Sequence, residues 1–388
     1  MSNDPNLKTR TVRAALETDT QHGAVVPPIH LTSTFAFAGF GGKRTYDYSR
    51  SGNPTRDALA GALADLEGGA GAVVTSSGMA AVSLVTQLFR PGQVAVVPHD
   101  CYGGTYRLFN ALRERGSLDV RFVDFQDAPA LQAALASRPA LVWIETPSNP
   151  LLRIVDLAAV ARAARAAGAL VAADNTFLSP VWQQPIALGA DVVVHSTTKY
   201  LNGHSDVVGG AVVAAARELH ERLAWWANCT GVTGAPFDSY LTLRGLRTLH
   251  ARMRAHGENT AQVVDMLIRH PAVAKVYYPG LASHPGHAVA RSQQSGFGAM
   301  VSFELKGDGN AVRALVGELR LFSLAESLGG VESLIAHPAS MTHAAMDAAA
   351  RERAGISDNL LRLSIGIEDG ADLVADLERG LEAAQRSA

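Results

Sequence analysis

The chain has 388 residues, 47% of them hydrophobic and 18% charged, enough for two or three domains at ~150 residues each and too apolar for a disordered or fibrous chain. Its 34 Lys and Arg against 36 Asp and Glu leave a net charge of −2, so no overall field favours nucleic acid or an anionic membrane as a partner. Every apolar stretch breaks well short of the ~18 residues a membrane span needs, the opening MSNDPNLKTRTVRAALETD has no apolar signal core, and there are two cysteines, Cys101 and Cys229; a cytoplasmic protein without structural disulfides is expected.

Residues 1 to about 47 carry no sustained helical or strand period, and Pro27, Pro28 and the run Gly39, Gly41 and Gly42 point to an extended arm, with bounds 1–57. Over 58–250 short β-rich runs alternate with amphipathic stretches: GAVVTSS (71–77), QVAVVP (93–98), DVRFVDF (119–125), ALVWIETP (140–147), ALVAADNT (169–176), DVVVHSTT (191–198) and GGAVVAA (209–215). Continuous apolar runs joined by helices predict an α/β domain with a mostly parallel, doubly wound sheet covered on both faces. Over 251–388 the rhythm changes. LHARMRAHGENTAQVVDMLIRH, which begins just before this boundary, leads into KVYYPG, AMVSFELKG, a helix near 310–319, RLFSLAES, LLRLSIGIE and a final helix from about 370. This predicts a smaller α+β domain with an antiparallel sheet. Repeats and low-complexity tracts are absent.

Three strand ends carry chemistry. Ser76-Ser77-Gly78-Met79 follows a strand and opens a helix, where unpaired N–H groups and the positive helix end can seat a phosphate; a plain turn with a serine cap has the same pattern. Asp174, at the carboxyl end of ALVAADNT, stands where open α/β sheets face ligands, or caps the next segment. Lys199 follows HSTT at another strand end; desolvated among hydroxyls its amine becomes a nucleophile for an aldehyde, whereas a lone lysine is usually a surface charge. Together a phosphate seat, a carboxylate and a strand-end lysine match pyridoxal phosphate, whose phosphate, ring nitrogen and aldehyde need donors, an anion and an amine. Ser196 and Thr198 alternate with Thr197, so both can turn hydroxyls to the phosphate. Tyr102 is placed to stack on the ring, or packs as an interior tyrosine. No strand leads into a GxGxxG spacing, and His195, His204 and Asp206 match no common zinc spacing, so no metal is expected. Cys101 and Cys229 are expected as buried small residues, and Trp225 and Trp226 as core or interface.

The segments VVPPIHLTST, DYSRSGNPTRD, SSGMAA, HDCYGGTYRLF, ETPSNPLLR, ADNTFLSP, HSTTKYLNGHSDVVGG, AWWANCTGVTG, FDSYLTLRGLRTL, LAESLGGVESL, MTH and LRLSIGIED resemble, over essentially the whole chain, the Cys/Met-metabolism (transsulfuration) family of fold-type I PLP enzymes. The resemblance implies that Lys199 bonds the cofactor aldehyde, Asp174 partners the ring nitrogen and Tyr102 stacks on the ring. It implies that Gly78 and Met79 give backbone N–H groups to the phosphate, with hydroxyls from Ser196 and Thr198. Tyr48 and Arg50 would cross to a neighbouring subunit's phosphate site, in a homotetramer built from dimers with shared sites. Arg362 would clamp the substrate α-carboxylate, with Asn149 and Ser327 as further carboxylate contacts and Arg107 facing a distal succinyl group. Glu326 favours the two γ-branches of the family over β-lyases and sulfhydrylases, and within them Asp47 and AWWANCTGVTG favour the branch that joins O-succinyl-L-homoserine to L-cysteine, giving L-cystathionine and succinate. The alternatives are an acetyl donor, the branch that cleaves cystathionine to cysteine, 2-oxobutyrate and ammonia, and, remotely, a non-catalytic binding oligomer, which the presence of Lys199, Asp174 and Arg362 disfavours.

Overall fold

The computed structural model describes residues 5–342, 351 and 354–387; His343, which ends the MTH segment, lies outside them. The arm is not wholly extended. It begins with helix α1 (Leu7–Val12), capped by the Asn6 side chain and tied to the next helix by the Arg10–Asp65 ion pair. Six residues are too few for isolated stability or for a visible period, so tertiary contact decides this helix. Residues 13–53 then run without further helix or strand apart from a Thr34–Tyr48 bridge. Val25, Leu31, Phe37 and Phe40 stand exposed there.

Asn53 starts α2 (Pro54–Glu67): its side chain accepts the N–H of Thr55 and Arg56, Pro54 fills the first turn where no N–H is needed, and Gly68 at φ +73° ends the helix. There follow β1 (Gly71–Thr75), α3 (Gly78–Thr86), β2 (Val94–Pro98), α4 (Gly103–Glu114), β3 (Asp119–Val123), α5 (Ala128–Ala136), β4 (Leu141–Glu145), α6 (Leu157–Ala166), β5 (Leu170–Asp174), the short α7 (Ser179–Trp182), β6 (Val192–Ser196) and β7 (Gly210–Ala214). The seven strands form one sheet in the order β1-β7-β6-β5-β4-β2-β3, with β7 alone antiparallel to its neighbours. Every residue of β4 is buried, and each fully buried Leu or Ile such as Leu141 and Ile144 contributes ~1.5–3 kcal/mol of burial free energy. The apolar runs are continuous because helices cover both faces: Leu84, Phe109 and Leu223 pack on one side, Leu157, Val160 and Ala164 on the other.

Beyond β7 come α8 (Arg217–Thr230), α9 (Pro236–Leu246), α10 (Leu249–Leu267), β8 (Val273–Tyr277), α11 (His287–Gln293), β9 (Met300–Leu305), α12 (Gly309–Glu318), β10 (Ser323–Leu324), β11 (Leu334–Ala336), β12 (Leu360–Ser364) and the terminal helix α13 (Gly370–Ser387). The second sheet, β10-β11-β12-β9-β8, is antiparallel except for the parallel β10–β11 pair. This corrects the expectation of a purely antiparallel sheet. The RLFSLAES segment supplies only two strand residues, and β11 is three residues long, too short to show a period. Among the described residues no helix is long and apolar enough to cross a membrane.

Candidate active site

The carboxyl ends of β2, β4, β5 and β6, the start of α3 and the β12 side of the second sheet enclose a cavity of about 390 Å³, within the ~300–1,000 Å³ usual for small-molecule sites. Clefts of about 810 and 750 Å³ lie elsewhere, but neither brings a lysine, a carboxylate and an arginine together as this cavity does.

One end is built from closely packed backbone. Ser77 caps α3, its hydroxyl accepting the Ala80 N–H at 3.1 Å. A Cβ on Gly78 would lie 2.8 Å from Ser196 Cβ, and one on Gly210 would lie 2.2 Å from the Ser77 carbonyl oxygen, so glycines let the turn nest between β6 and β7. Gly78, Met79, Ser196 and Thr198 all line the cavity, while Thr197 is buried on the opposite side of the strand end. The Thr198 hydroxyl accepts the Gly209 N–H at 3.0 Å and donates to the Gly209 carbonyl at 3.2 Å, which fixes its place on the wall.

At the floor, Asp174 accepts the Thr176 N–H at 2.9 Å and also bonds the Thr176 side chain; it has no ion-pair partner among the described residues. Enclosure by protein pushes its carboxyl up, and the Thr176 donors pull it back. Beside it stands a group that the sequence reading passed over. Glu145 is the register partner of Asp174 on β4, is buried, and accepts the Tyr102 N–H at 2.8 Å. Burial, then the neighbouring Asp174, push the Glu145 carboxyl well above the usual range. The strand-end argument that singles out Asp174 applies equally to Glu145 in ALVWIETP, and an Asx-type turn marks Thr176 two residues after Asp174.

Lys199 donates from Nζ to Ser327 Oγ at 2.6 Å. Burial, then the Arg362 charge, lower its amine to about 8. Tyr102 sits at the N-cap of α4 with its side chain 44% exposed at the cavity rim; a Cβ on Gly104 would lie 2.6 Å from its Cε1 and 2.8 Å from Met79 Sδ, so that glycine makes room for the ring. Burial pushes its phenol up.

Arg362, on β12, closes the other end. It is 3% exposed and donates from Nη1 to Asn149 Oδ1 at 3.0 Å and from Nη2 to the Ser327 carbonyl at 2.9 Å, leaving Nε buried without an acceptor among the described residues. Burial lowers its guanidinium only to about 10, so it remains a cation at neutral pH. Ser327, expected as a carboxylate contact, accepts from Lys199 at its hydroxyl and from Arg362 at its carbonyl. Glu326 lines the cavity and is exposed.

Other expected residues stay outside this cavity. Arg107 is exposed on α4 and absent from the wall, although its charge opposes the upward push on the Tyr102 phenol. Asp47 accepts the Tyr48 N–H and the Ser51 hydroxyl and pairs with Lys43 at 2.8 Å, which holds its carboxyl down at about 2. Tyr48 is exposed, and Arg50 donates to the Asn228 carbonyl at 2.8 Å. A single chain therefore does not carry Asp47, Tyr48 or Arg50 to its own cavity. Cys229 is exposed rather than buried, because the buried side of α8 runs through Leu219, Leu223 and Ala227 and Cys229 turns away from it; Cys101 is buried. Among the described residues no cluster suits a metal: His195 binds the buried Glu67 at 2.6 Å and His204 the Asn202 carbonyl at 2.7 Å.

Residues 8–382 match the Cys/Met metabolism PLP-dependent enzyme family. The chain is 59% identical over 379 residues to cystathionine gamma-synthase of Escherichia coli strain K12, covering 97% of this chain and 98% of that one. Cystathionine gamma synthase of Xanthomonas oryzae pv. oryzae, solved in complex with cystathionine, superposes with a TM-score of 0.98 at 62% identity over 99% of this chain and all of that one. Cystathionine gamma-lyase of Lactobacillus plantarum, complexed with L-serine, has a TM-score of 0.95 at 43% identity, covering 98% of this chain and 100% of that one.

Proposed function

This chain belongs to the Cys/Met metabolism PLP-dependent enzyme family, and on that premise we propose that it catalyses the cystathionine γ-synthase reaction, joining O-succinyl-L-homoserine to L-cysteine to give L-cystathionine and succinate. The observation that carries the reading is the meeting of Lys199, Asp174 and Arg362 in one cavity of about 390 Å³. The residues fit pyridoxal phosphate. The helix start at Gly78 and Met79, with the Ser196 hydroxyl, suits the phosphate; Asp174, a carboxylate without an ion-pair partner among the described residues, suits the ring nitrogen; Lys199 suits the aldehyde. When bound, that cofactor supplies an aldehyde for the substrate amine and a cationic ring that takes up negative charge left at carbon.

The chain's own residues do the rest. The Lys199 amine, lowered to about 8 by burial and by the Arg362 charge, would hold the cofactor aldehyde and give way to the amine of the incoming amino acid. From its place beside Ser327 it would take the proton from the substrate α-carbon, pass it to the carbon that carried the aldehyde, and, as a free amine again, take one from the β-carbon, so that succinate can leave from the γ-carbon. The cysteine thiolate adds at that γ-carbon, and the two protons return through Lys199. Arg362 binds the α-carboxylate, its orphaned Nε and outward guanidinium edge meeting the oxygens while Asn149 and the Ser327 carbonyl hold it in plane. Tyr102 covers the ring from the rim and excludes water. Arg107 meets the distal succinyl carboxylate by movement of its exposed side chain, and Glu326 orients the incoming cysteine.

Tyr48 and Arg50 serve the phosphate end of a second copy, in a homotetramer of dimers; the exposed Val25, Leu31, Phe37 and Phe40 of the arm are the apolar surface such an assembly would cover. A cytoplasmic location suits a substrate used as a free thiol. The lyase reading keeps the same proton steps and differs in the fate of the γ-carbon, with a γ-lyase 43% identical as its support. One assay set separates them: O-succinylhomoserine with cysteine, O-acetylhomoserine with cysteine, and cystathionine alone. Accumulation of cystathionine is expected. Faster cleavage of cystathionine than its synthesis at comparable substrate levels overturns the proposal in favour of the lyase.

A further inference from the structure

We propose that Glu145 is a positioning residue for the cofactor ring, anchoring the Tyr102 backbone through one oxygen and working beside Asp174 as an uncharged carboxylic acid. The inference rests on the reading of this cavity as the pyridoxal phosphate site.

Its basis is the juxtaposition of two strand ends. β4 and β5 are parallel, and the register sets Glu145 opposite Asp174, each the last residue of its strand and each on the cavity wall. Parallel strands lie ~4.8 Å apart, so two carboxyl groups stand side by side on one face. Neither has an ion-pair partner among the described residues. Two adjacent carboxylates enclosed by protein cannot both ionise without a large cost, and the proton goes to the one in the poorer surroundings.

The surroundings differ. Asp174 takes a backbone and a side-chain bond from Thr176 and opens toward the cavity, where a cationic ring would face it. Glu145 is more deeply enclosed, 6% exposed, and takes backbone bonds from the Tyr102 N–H and from Asn149. The groups that face Glu145 are Asp174 on β5, Asp100 and the Cys101 thiol on the loop after β2, and the Tyr102 phenol; the cation on that side, Arg153, is engaged with Asp100 at 2.9 Å. Lys199 and Arg362 make their bonds on the Ser327 and Asn149 side instead. Glu145 therefore keeps the proton and leaves Asp174 as the anion opposite the ring nitrogen.

What Glu145 anchors is the aromatic cover. Tyr102 heads α4 with no side-chain cap, and its N–H is the one that Glu145 Oε2 accepts. Losing that acceptor frees the turn that carries the ring across Gly104 and Met79.

The test compares Glu145→Gln, an uncharged isostere that retains an acceptor oxygen, with Glu145→Ala, in protein reconstituted with pyridoxal phosphate. Three readouts are taken: the cofactor dissociation constant, the pH at which the visible cofactor band titrates, and the circular dichroism of that band. Glu145→Gln is expected to keep the dissociation constant within about twofold of the wild type with an unmoved titration, while Glu145→Ala weakens binding about tenfold, as loss of a buried hydrogen bond implies, and diminishes the circular dichroism. Gln behaving like Ala, or moving the titration by a pH unit, shows that Glu145 works as an anion and overturns the proposal; so does Ala behaving like the wild type. If Glu145→Ala does not fold, the Gln variant alone decides the question of charge. Failure of wild-type protein to take up pyridoxal phosphate, or a visible band surviving in Lys199→Ala, would mark failure of the cavity reading instead.

Discussion

Lys199 and Ser327, 128 positions apart, meet at 2.6 Å, and the serine that receives the amine holds a backbone φ of +82°. That conformation costs a non-glycine residue on the order of 1–3 kcal/mol, and it persists because Lys199 binds the hydroxyl and Arg362 the carbonyl of the same residue. The amine is thus held beside the Arg362 guanidinium rather than in open solvent.

The first prediction is a pH dependence of cofactor uptake. Only the neutral amine attacks an aldehyde, and Lys199 is lowered from 10.5 to about 8, so the rate of reconstitution should rise ~tenfold per pH unit up to about 8 and then level. Protonation is disfavoured in the folded cofactor-free protein, so relative to Lys199→Met its stability falls as pH drops from 10.5 to about 8 and is flat below that. Stopped-flow absorbance and pH-dependent melting measure the two. A flat uptake profile between pH 6 and 8 would contradict the depressed amine.

A second concerns the clamp. Arg362→Lys keeps the charge but loses the planar fork and the bonds that hold it to Asn149 and Ser327, so kcat/KM for O-succinylhomoserine should fall ~10–100-fold, with cofactor affinity little changed. Steady-state kinetics beside a cofactor titration check it. Equal losses in both would place Arg362 at the cofactor.

The phosphate turn offers a steric test. Gly210→Ala sets a methyl 2.2 Å from the Ser77 carbonyl and should cost ~1–3 kcal/mol of stability while weakening pyridoxal phosphate, read as a lower Tm and a raised Kd. Gly61→Ala, in the interior of α2 with open space around its Cα, is the control: it should gain ~0.5–1 kcal/mol and leave the cofactor Kd alone.

The arm makes the fourth prediction. Arg50→Ala should weaken cofactor binding although Arg50 lies outside its own chain's cavity, and mixing it with Lys199→Ala under subunit exchange should restore about a quarter of wild-type activity, one intact site in each hybrid dimer. No gain over the parents despite demonstrated exchange would place the arm elsewhere.

How far the sequence discloses this molecule depends on length scale. The runs around Val96, Trp143 and Val193 announce their strands because burial on both faces forbids polar interruption, and Asp174 and Lys199 stand out as polar residues ending such runs. β11 and α1 leave no trace of that kind: three and six residues hold their shape through contacts made far away in sequence. Glu145 ends its strand as visibly as Asp174, yet its proximity to Asp174 exists only through the pairing of β4 with β5. The service of Tyr48 and Arg50 to a second copy, as proposed, would be a matter between chains and leaves no local period at all.

Arg362 rises from β12 in the second sheet, whereas its partner Asn149 follows β4 of the first, 213 positions away, so the guanidinium joins the two sheets beside the core that Val193 and Val213 share with Met253 and Met300. If Arg362 seats the substrate carboxylate as proposed, that carboxylate would be a third limb of the joint and a brace between the sheets, and saturating substrate should raise the melting temperature. The orientation needed for turnover and the mechanical cohesion of the subunit then depend on the same contact.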